Sequence, residues 1–250
     1  MLSRTFALWK GAVRQPAVWT AVIWMGLLML LTAGGIAITG GVPSSRIPLY
    51  SSTPFNGVVP GGGTGISAHA ALIILLAGAV STFIAAGEYG MFGRAVAGET
   101  VSWRSFWGYM FQYYGRLWGF VLYTLMWGVC LVLLAVALGL ALHSVGVVLV
   151  LIAAFFSWPW AVRMMGGLFV DELSWGQSFS RAFQAPHYGE MLGAVLVALA
   201  AYVAAFAAIQ LLGLLSAPLG LVLSWAVDLF LLAAGPVWLL AAYRSTTDRG

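Results

Sequence analysis

Six long apolar segments constrain this chain more than any other feature. At ~1.5 Å per residue, some twenty apolar residues cross the ~30 Å hydrocarbon core of a bilayer. The chain is 62% hydrophobic and only 7% charged, whereas roughly a quarter of the residues of a soluble globule are charged. We therefore predict an all-α integral membrane protein whose six transmembrane helices cover about residues 16–39, 68–91, 116–142, 145–170, 190–214 and 219–243.

Two stretches of the chain outside these apolar cores resemble each other. Glu99–Gly119 and Glu172–Gly193 each begin with an acidic residue and a Ser-Trp pair, continue through aromatic residues to Phe-Gln, and reach a Tyr-Gly. In the first stretch the aromatic side chains recur at the helical period, and residues 1–15 show a similar apolar stripe with basic residues beside it. Large rings and basic residues suit the headgroup region of a membrane. We predict three interfacial elbow helices, each preceding a transmembrane hairpin, at 1–15, 100–114 and 173–187.

Basic residues collect on one side of this six-span arrangement. A single arginine, Arg46, falls on the other side, within residues 40–67, which are rich in Pro, Gly and Ser. The positive-inside rule then places both termini and the elbow helices in the cytoplasm and makes 40–67 an extracytoplasmic loop. A cleaved signal peptide is the alternative for residues 1–15, but the following apolar segment is too long for its hydrophobic region. The prediction is one membrane domain, 1–250, in the cell membrane.

Several function classes find no support in the composition. Cys130 is the single cysteine and lies in an apolar segment, so neither a disulfide framework nor a thiolate metal site is expected. No residues group as ligands of a metal or cofactor. The formal charge of +4 comes without a basic cluster beside a soluble fold, so nucleic acid is not an expected partner. Catalytic pairs of acids and Ser/His/Asp arrangements are absent, which makes an intramembrane enzyme the weakest hypothesis.

Short motifs of the chain are similar to those of several bacterial and archaeal membrane families. They are Gly90-Met-Phe-Gly-Arg94, Gly98-Glu99, Ser102-Trp103-x-x-Phe106 and Tyr114-Gly115, with Asp171-Glu172, Ser174 and Phe179 in the third unit. The chain resembles six-span families of unknown function related to the membrane domain fused to some glycerophosphodiester phosphodiesterases. The resemblance implies a six-span membrane fold. It implies no phosphodiesterase activity, because no hydrolase domain accompanies it here.

Ionisable residues within the predicted spans are functional candidates, because charge is costly there. Asp228 lies near the middle of span six, and Tyr202 of span five has a suitable depth to donate a hydrogen bond to it. One interpretation of Asp228 is a proton or cation relay or a contact to a polar substrate. The other is a neutral aspartate between helices or at a partner subunit. Glu88 and Arg163 have similar depths near the inner side, and we expect them to form a structural ion pair.

Glycines and arginines near the inner side are candidates for packing and docking. Two Gly-x-x-x-Gly pairs open spans three and five and are predicted to let helices approach closely. Two arginines of the elbow segments are candidates for docking a partner protein. The packing candidates are Gly115, Gly119, Gly189 and Gly193, and the docking candidates are Arg104 and Arg181.

Together these features favour a non-enzymatic function in the bilayer. The first hypothesis is a transport-related or membrane-partner subunit, permease-like, with a polar path near Asp228. One version of it docks a cytosolic ATPase through the inner loops. The alternative is an oligomeric scaffold that organises lipid or other proteins without transport. The expected partners are the lipid bilayer and either a second copy of the chain or a cytosolic or membrane partner protein.

Overall fold

A computed structural model describes residues 1–38, 68–183, 187–215 and 217–247. The predicted extracytoplasmic loop, 40–67, lies outside the described residues. Within the described ranges the chain is helical, with short turns and no strand. The helices are α1 (Leu2–Val13), α2 (Pro16–Ile38), α3 (Ala68–Val96), α4 (Trp103–Leu142), α5 (Ser144–Phe169), α6 (Trp175–Phe183), α7 (Tyr188–Leu215) and α8 (Ala217–Thr247).

Five of these helices are long and apolar enough to cross a membrane, namely α3, α4, α5, α7 and α8. In α2, the stretch Pro16–Leu28 is a shorter apolar helix. The described residues therefore confirm an all-helical fold with several helices long and apolar enough to span a membrane. A sixth span formed by α2 stays a prediction.

Helix α4 differs from the predicted elbow followed by a separate span. It runs for 40 residues from Trp103 to Leu142, which corresponds to ~60 Å, or about twice the thickness of the hydrocarbon core. In the first unit, Pro16 begins a new helix after α1, and in the third unit Pro186 lies between α6 and α7. No proline occurs between Trp103 and Leu142. The helix therefore continues, because nothing removes a backbone donor within it.

The long helices form a closed ring in the order α2, α3, α4, α5, α7 and α8, in which each helix contacts the next and α8 contacts α2. Helices α3, α5 and α8 also contact one another, so they form an inner layer, and α2, α4 and α7 lie outside it. The short helices complete the contacts, since α1 packs mainly on α8 and α6 mainly on α5. The inner layer thus consists of the second helix of each predicted hairpin.

The short helices bury small residues fully and leave large apolar side chains partly exposed at the edge of the bundle. In α6, Trp175, Phe179 and Phe183 are exposed, while the small residues Ser178 and Ala182 are fully buried. In α1 the buried residues are likewise small, Thr5 and Ala12, and Leu2 and Phe6 are exposed. A soluble protein places the apolar stripe of a surface helix against its core. Large apolar side chains that remain partly exposed suit helices whose apolar side contacts lipid.

Side-chain hydrogen bonds fix these short helices to the long ones. The Trp9 indole N–H donates to the Ala234 carbonyl oxygen of α8 at 3.1 Å. The Trp175 indole N–H donates to the Gly119 carbonyl oxygen of α4 at 2.8 Å. A capping box begins α6, because the backbone N–H of Ser174 donates to Gln177 Oε1 at 3.1 Å and the Gln177 N–H donates to Ser174 Oγ at 3.4 Å.

Most of the glycines predicted for packing do not lie at the close contacts between the described helices. Among the described residues, a Cβ atom on Gly115, Gly189 or Gly193 would meet no atom within 4 Å, so these three glycines form no close helix contacts there. Gly119 does, because a Cβ there would lie 2.4 Å from the Trp175 ring. The sharpest approach is at Gly93, where a Cβ would lie 2.0 Å from the backbone carbonyl oxygen of Phe169.

Packing is concentrated at the end of the bundle that holds both chain termini, which we call the terminal side. The hydrogen bond between Thr5 Oγ1 and Ser245 Oγ, 2.9 Å long, joins the two termini there. At the opposite end, which we call the far side, fewer of the described residues of α3 and α4 are buried. No described residue between 71 and 83 of α3 or between 124 and 142 of α4 is buried. On the terminal side, α3 is almost continuously buried from Ile84 to Val96.

Candidate functional site: an ionic cluster at three helix ends

The turn between α5 and α6 carries two adjacent acids, Asp171 and Glu172. Helix α5 closes with the Asp171 N–H donating to the Gly166 carbonyl oxygen at 3.2 Å and the Leu173 N–H donating to the Gly167 carbonyl oxygen at 2.9 Å. Glu172 has a φ of +53°, in the left-handed region that non-glycine residues seldom adopt. The turn directs the two carboxylates to different neighbours, so that each binds a different helix end.

Glu172 connects α5 to α3 and α4. Its Oε1 accepts hydrogen bonds from the Arg94 guanidinium at the end of α3 and from the Tyr113 hydroxyl of α4. Arg94 also donates from Nε to the Tyr113 oxygen at 3.1 Å and forms an ion pair with Glu99 at 2.7 Å. One guanidinium thus binds two carboxylates and a phenol. Such charge-assisted hydrogen bonds are roughly twice as strong as neutral ones.

Asp171 connects α5 to α6 and α8. The Tyr243 hydroxyl of α8 donates to Asp171 Oδ2 at 2.7 Å. Arg181 of α6 donates to the same oxygen at 2.8 Å, and Arg244 of α8 lies 3.6 Å from Oδ1. The Asp171 side chain is only 14% exposed, so these partners compensate a carboxylate that is largely removed from solvent.

We call this group of residues the terminal-side cluster. Its three acids and three arginines balance in formal charge. It joins the terminal-side ends of α3, α5 and α8, the inner layer of the ring, and attaches α4 and α6 to them. Its members are Arg94, Glu99, Tyr113, Asp171, Glu172, Arg181, Tyr243 and Arg244.

The predicted pair of Asp228 and Tyr202 is not formed. Tyr202 is 40% exposed on α7, and Asp228 is half-buried on α8. Both residues lie in the described part of the chain, where no hydrogen bond joins the phenol to the carboxylate. Matching depth along two helices does not fix the direction of a side chain around the helix axis, which is why the prediction failed.

The predicted ion pair between Glu88 and Arg163 is also wrong. Among the described residues, no ion pair or hydrogen bond involves Glu88, whose Oε1 is buried without a partner. The charge of Arg163 interacts with Tyr243 and Arg181, which belong to α8 and α6. Arg163 therefore interacts on the side of α5 that faces α6 and α8, although α3 also contacts α5.

The two predicted docking arginines have different surroundings. Arg104 is exposed near the start of α4, whereas Arg181 is bound to Asp171 within the cluster. No site was predicted at Arg94, Tyr113 or Tyr243. A signal was present, because Glu99 and Glu172 occupy equivalent positions in the two similar stretches and both bind Arg94.

The cluster consists of ion pairs and phenol hydrogen bonds, which are contacts suited to holding helices together. No group of three or more His, Cys, Asp or Glu side chains that could hold a metal ion occurs in the described ranges. Comparison of the chain with protein-family models, with curated proteins and with solved structures gives no match.

Proposed function

We propose that this protein is a non-enzymatic, transport-related membrane subunit, permease-like, whose bundle is closed on the terminal side by the terminal-side cluster. The observation that carries the proposal is the contrast between the two ends of the ring. The inner-layer helices α3, α5 and α8 are held together by ion pairs at one end. Towards the other end, no described residue at 71–83 of α3 or at 124–142 of α4 is buried.

A transporter that exposes its path to one side at a time needs a closure that can open. Ion pairs between helix ends suit this role, since the charges gain solvation by water when the helices separate. An apolar closure would instead expose apolar surface to water on opening. The Arg94–Glu172 contact joins α3 to the end of α5, and Asp171–Tyr243 joins that same end to α8. Breaking these two contacts would weaken the attachment of the inner-layer helices to one another.

The orientation of the bundle follows from charge. Arginines and lysines are concentrated on the terminal side, which we assign to the cytoplasm of a cell with the protein in its cell membrane. Three elbow-plus-hairpin units, related to the six-span families named above, account for the ring with its three inner helices. In this arrangement the exposed Arg104 remains a candidate contact for a cytosolic partner.

An oligomeric scaffold is the second candidate function. It is favoured by the far-side half of α4, where Thr124 to Leu142 includes no buried residue and could contact a second copy or lipid. Native mass spectrometry of the protein extracted under mild conditions separates these functions. A co-purifying ATPase or membrane subunit supports the permease-like role, whereas a homo-oligomer that carries only lipid supports the scaffold.

Accessibility of a buried cysteine tests whether the terminal side opens. The starting variant is Cys130→Ala with Ala86→Cys, because Ala86 is fully buried on α3, ~12 Å along the helix from Arg94. A membrane-impermeant methanethiosulfonate reagent is applied to the cytoplasmic face of inside-out vesicles. Adding Glu172→Gln weakens the contact between α3 and α5. Each ~1.4 kcal/mol lost from the closed state raises the labelling rate about tenfold.

Glu99→Gln is the matched control. It removes the same charge from the same arginine, but Glu99 follows α3 directly in the chain and ties no second inner helix to it. Labelling should rise with Glu172→Gln and remain at the starting level with Glu99→Gln. An unchanged rate with Glu172→Gln, or an equal rise with both variants, would contradict the proposed closure and leave the scaffold as the better function.

A further inference from the structure

Glu88 is the most deeply buried acid among the described residues, at 3% exposure. It shares one face of α3 with Ile84 and Met91, at positions i−4 and i+3. These two side chains belong to an apolar cluster with Ala17 and Met25 of α2 and with Phe106 and Met110 of α4. The carboxyl group thus lies on a helix face that packs against apolar side chains of α2 and α4.

No basic residue compensates this carboxyl group. Helix α2 carries no titratable side chain along its described length. On α3 itself, the neighbouring Tyr89 interacts with Glu88 electrostatically, but a phenol supplies no positive charge. The other helices that contact α3 do carry titratable groups, yet across the described residues none forms an ion pair or hydrogen bond with Glu88. Those groups are Arg4, Lys10, Arg104, Tyr109, Tyr113, Tyr114, Arg116, Tyr123, Cys130, Arg163, Asp228, Tyr243 and Arg244.

An ionised carboxylate in such surroundings is far more costly than a neutral acid, because it loses the solvation of water without gaining a partner. A carboxyl group can avoid this cost by binding a proton. We propose that Glu88 is a proton-binding site, at which the protein holds one carboxylic acid in its neutral form at neutral pH. The ligand of the site is the proton itself, taken up by one carboxylate oxygen.

The position of Glu88 along α3 relates this site to the opening of the bundle. It lies just inside the packed part of α3, which begins at Ile84, and ~9 Å before Arg94. Separation of the helices at the terminal-side cluster would admit water to this face, and the acid would then release its proton. The inference about Glu88 stands on burial and on the absence of a partner within the described chain. It therefore does not depend on the transport function.

Selective labelling of glutamate side chains with ¹³C at the carboxyl carbon tests the protonation state directly. The chain contains four glutamates, Glu88, Glu99, Glu172 and Glu190. Solid-state NMR of the full-length protein in lipid at pH 7 distinguishes the carbon of a neutral acid from that of a carboxylate. We expect one of the four signals to have the shift of a neutral acid and to disappear in Glu88→Gln.

Glu190→Gln is the control, since Glu190 is partly exposed near His187 on α7 and its loss should leave the neutral-acid signal in place. Glu88→Asp gives a second assignment, because it keeps a carboxyl group but removes it from the labelled set. The proposal is overturned if the wild-type protein shows only carboxylate signals at pH 7. It is equally overturned if the neutral-acid signal persists in the Glu88 variants. Either result concerns Glu88 alone, whereas the cysteine experiment concerns the closure.

Discussion

Replacement of Gly93 by alanine tests the closest contact between α3 and α5. The new Cβ would lie 2.0 Å from the Phe169 carbonyl oxygen, whereas ordinary contact begins at about 3.4 Å. Both atoms are fixed to helical backbone, so no side-chain rotation relieves the overlap and the two helices must separate. Glu172 follows Phe169 by three residues and binds Arg94, the residue after Gly93. The same displacement therefore pulls on the terminal-side cluster.

The magnitude follows from two opposing effects. Overpacking costs about 3 kcal/mol, the upper part of the usual range, because the obstacle is backbone. Alanine in a helix interior returns about 1 kcal/mol relative to glycine. The net loss is about 2 kcal/mol, which corresponds to a Tm lower by ~4–8 °C for a chain of this size. The fluorescence of the 12 tryptophans during thermal unfolding in detergent provides the measurement.

Gly115→Ala is the matched control, because a Cβ there meets nothing within 4 Å and α4 is helical at this position. It should gain up to about 1 kcal/mol and raise the Tm by ~2–4 °C. The reasoning is refuted if Gly93→Ala is as stable as the wild-type protein, or if Gly115→Ala is destabilised to the same extent as Gly93→Ala.

Three further changes test other contacts. Tyr243→Phe removes the hydrogen bond to Asp171 and should lower stability by ~1 kcal/mol in thermal unfolding; an unchanged Tm would show that this bond adds nothing. Trp175→Phe keeps an aromatic ring but removes the indole N–H that binds Gly119, so faster proteolysis of α6 is expected at unchanged global stability. Asp228→Asn should abolish a proton- or cation-coupled flux, measured with a pH-sensitive dye in proteoliposomes, and leave the fold intact; undiminished flux would exclude Asp228 as the coupling residue.

The helices were predictable because long apolar segments and helical periods are local properties of the chain. Ser174 and Gln177, for example, have the spacing of a capping box, a local pattern that marks the start of α6. The continuity of α4 was not predicted, because the helix begins with an aromatic segment and continues with an apolar one. Such a change in composition resembles the boundary between two helices. The absence of proline between Trp103 and Leu142 was the signal that favoured one helix.

The site was less predictable, because contacts between helices depend on rotation around each helix axis. Depth along the membrane suggested Glu88 with Arg163, yet these side chains point to different neighbours. The glycine pairs of the repeated stretch were conspicuous in the sequence, but the tightest contact uses Gly93, whose opposing atom belongs to the backbone of Phe169. Because the opposing atom belongs to the backbone, no residue type in the sequence indicates this contact.

The unbroken length of α4 has a mechanical consequence. A rod of ~60 Å that tilts by ~10° about one end displaces its other end by ~10 Å. In the first unit, by contrast, α1 ends at Val13 and Pro16 begins α2, so a joint separates the two helices. The second unit lacks such a joint. A displacement of the far-side half of α4 is therefore transmitted directly to Tyr113, which binds Arg94 and Glu172. Helix α4 is thus suited to transmit a movement at the far side to the terminal-side cluster.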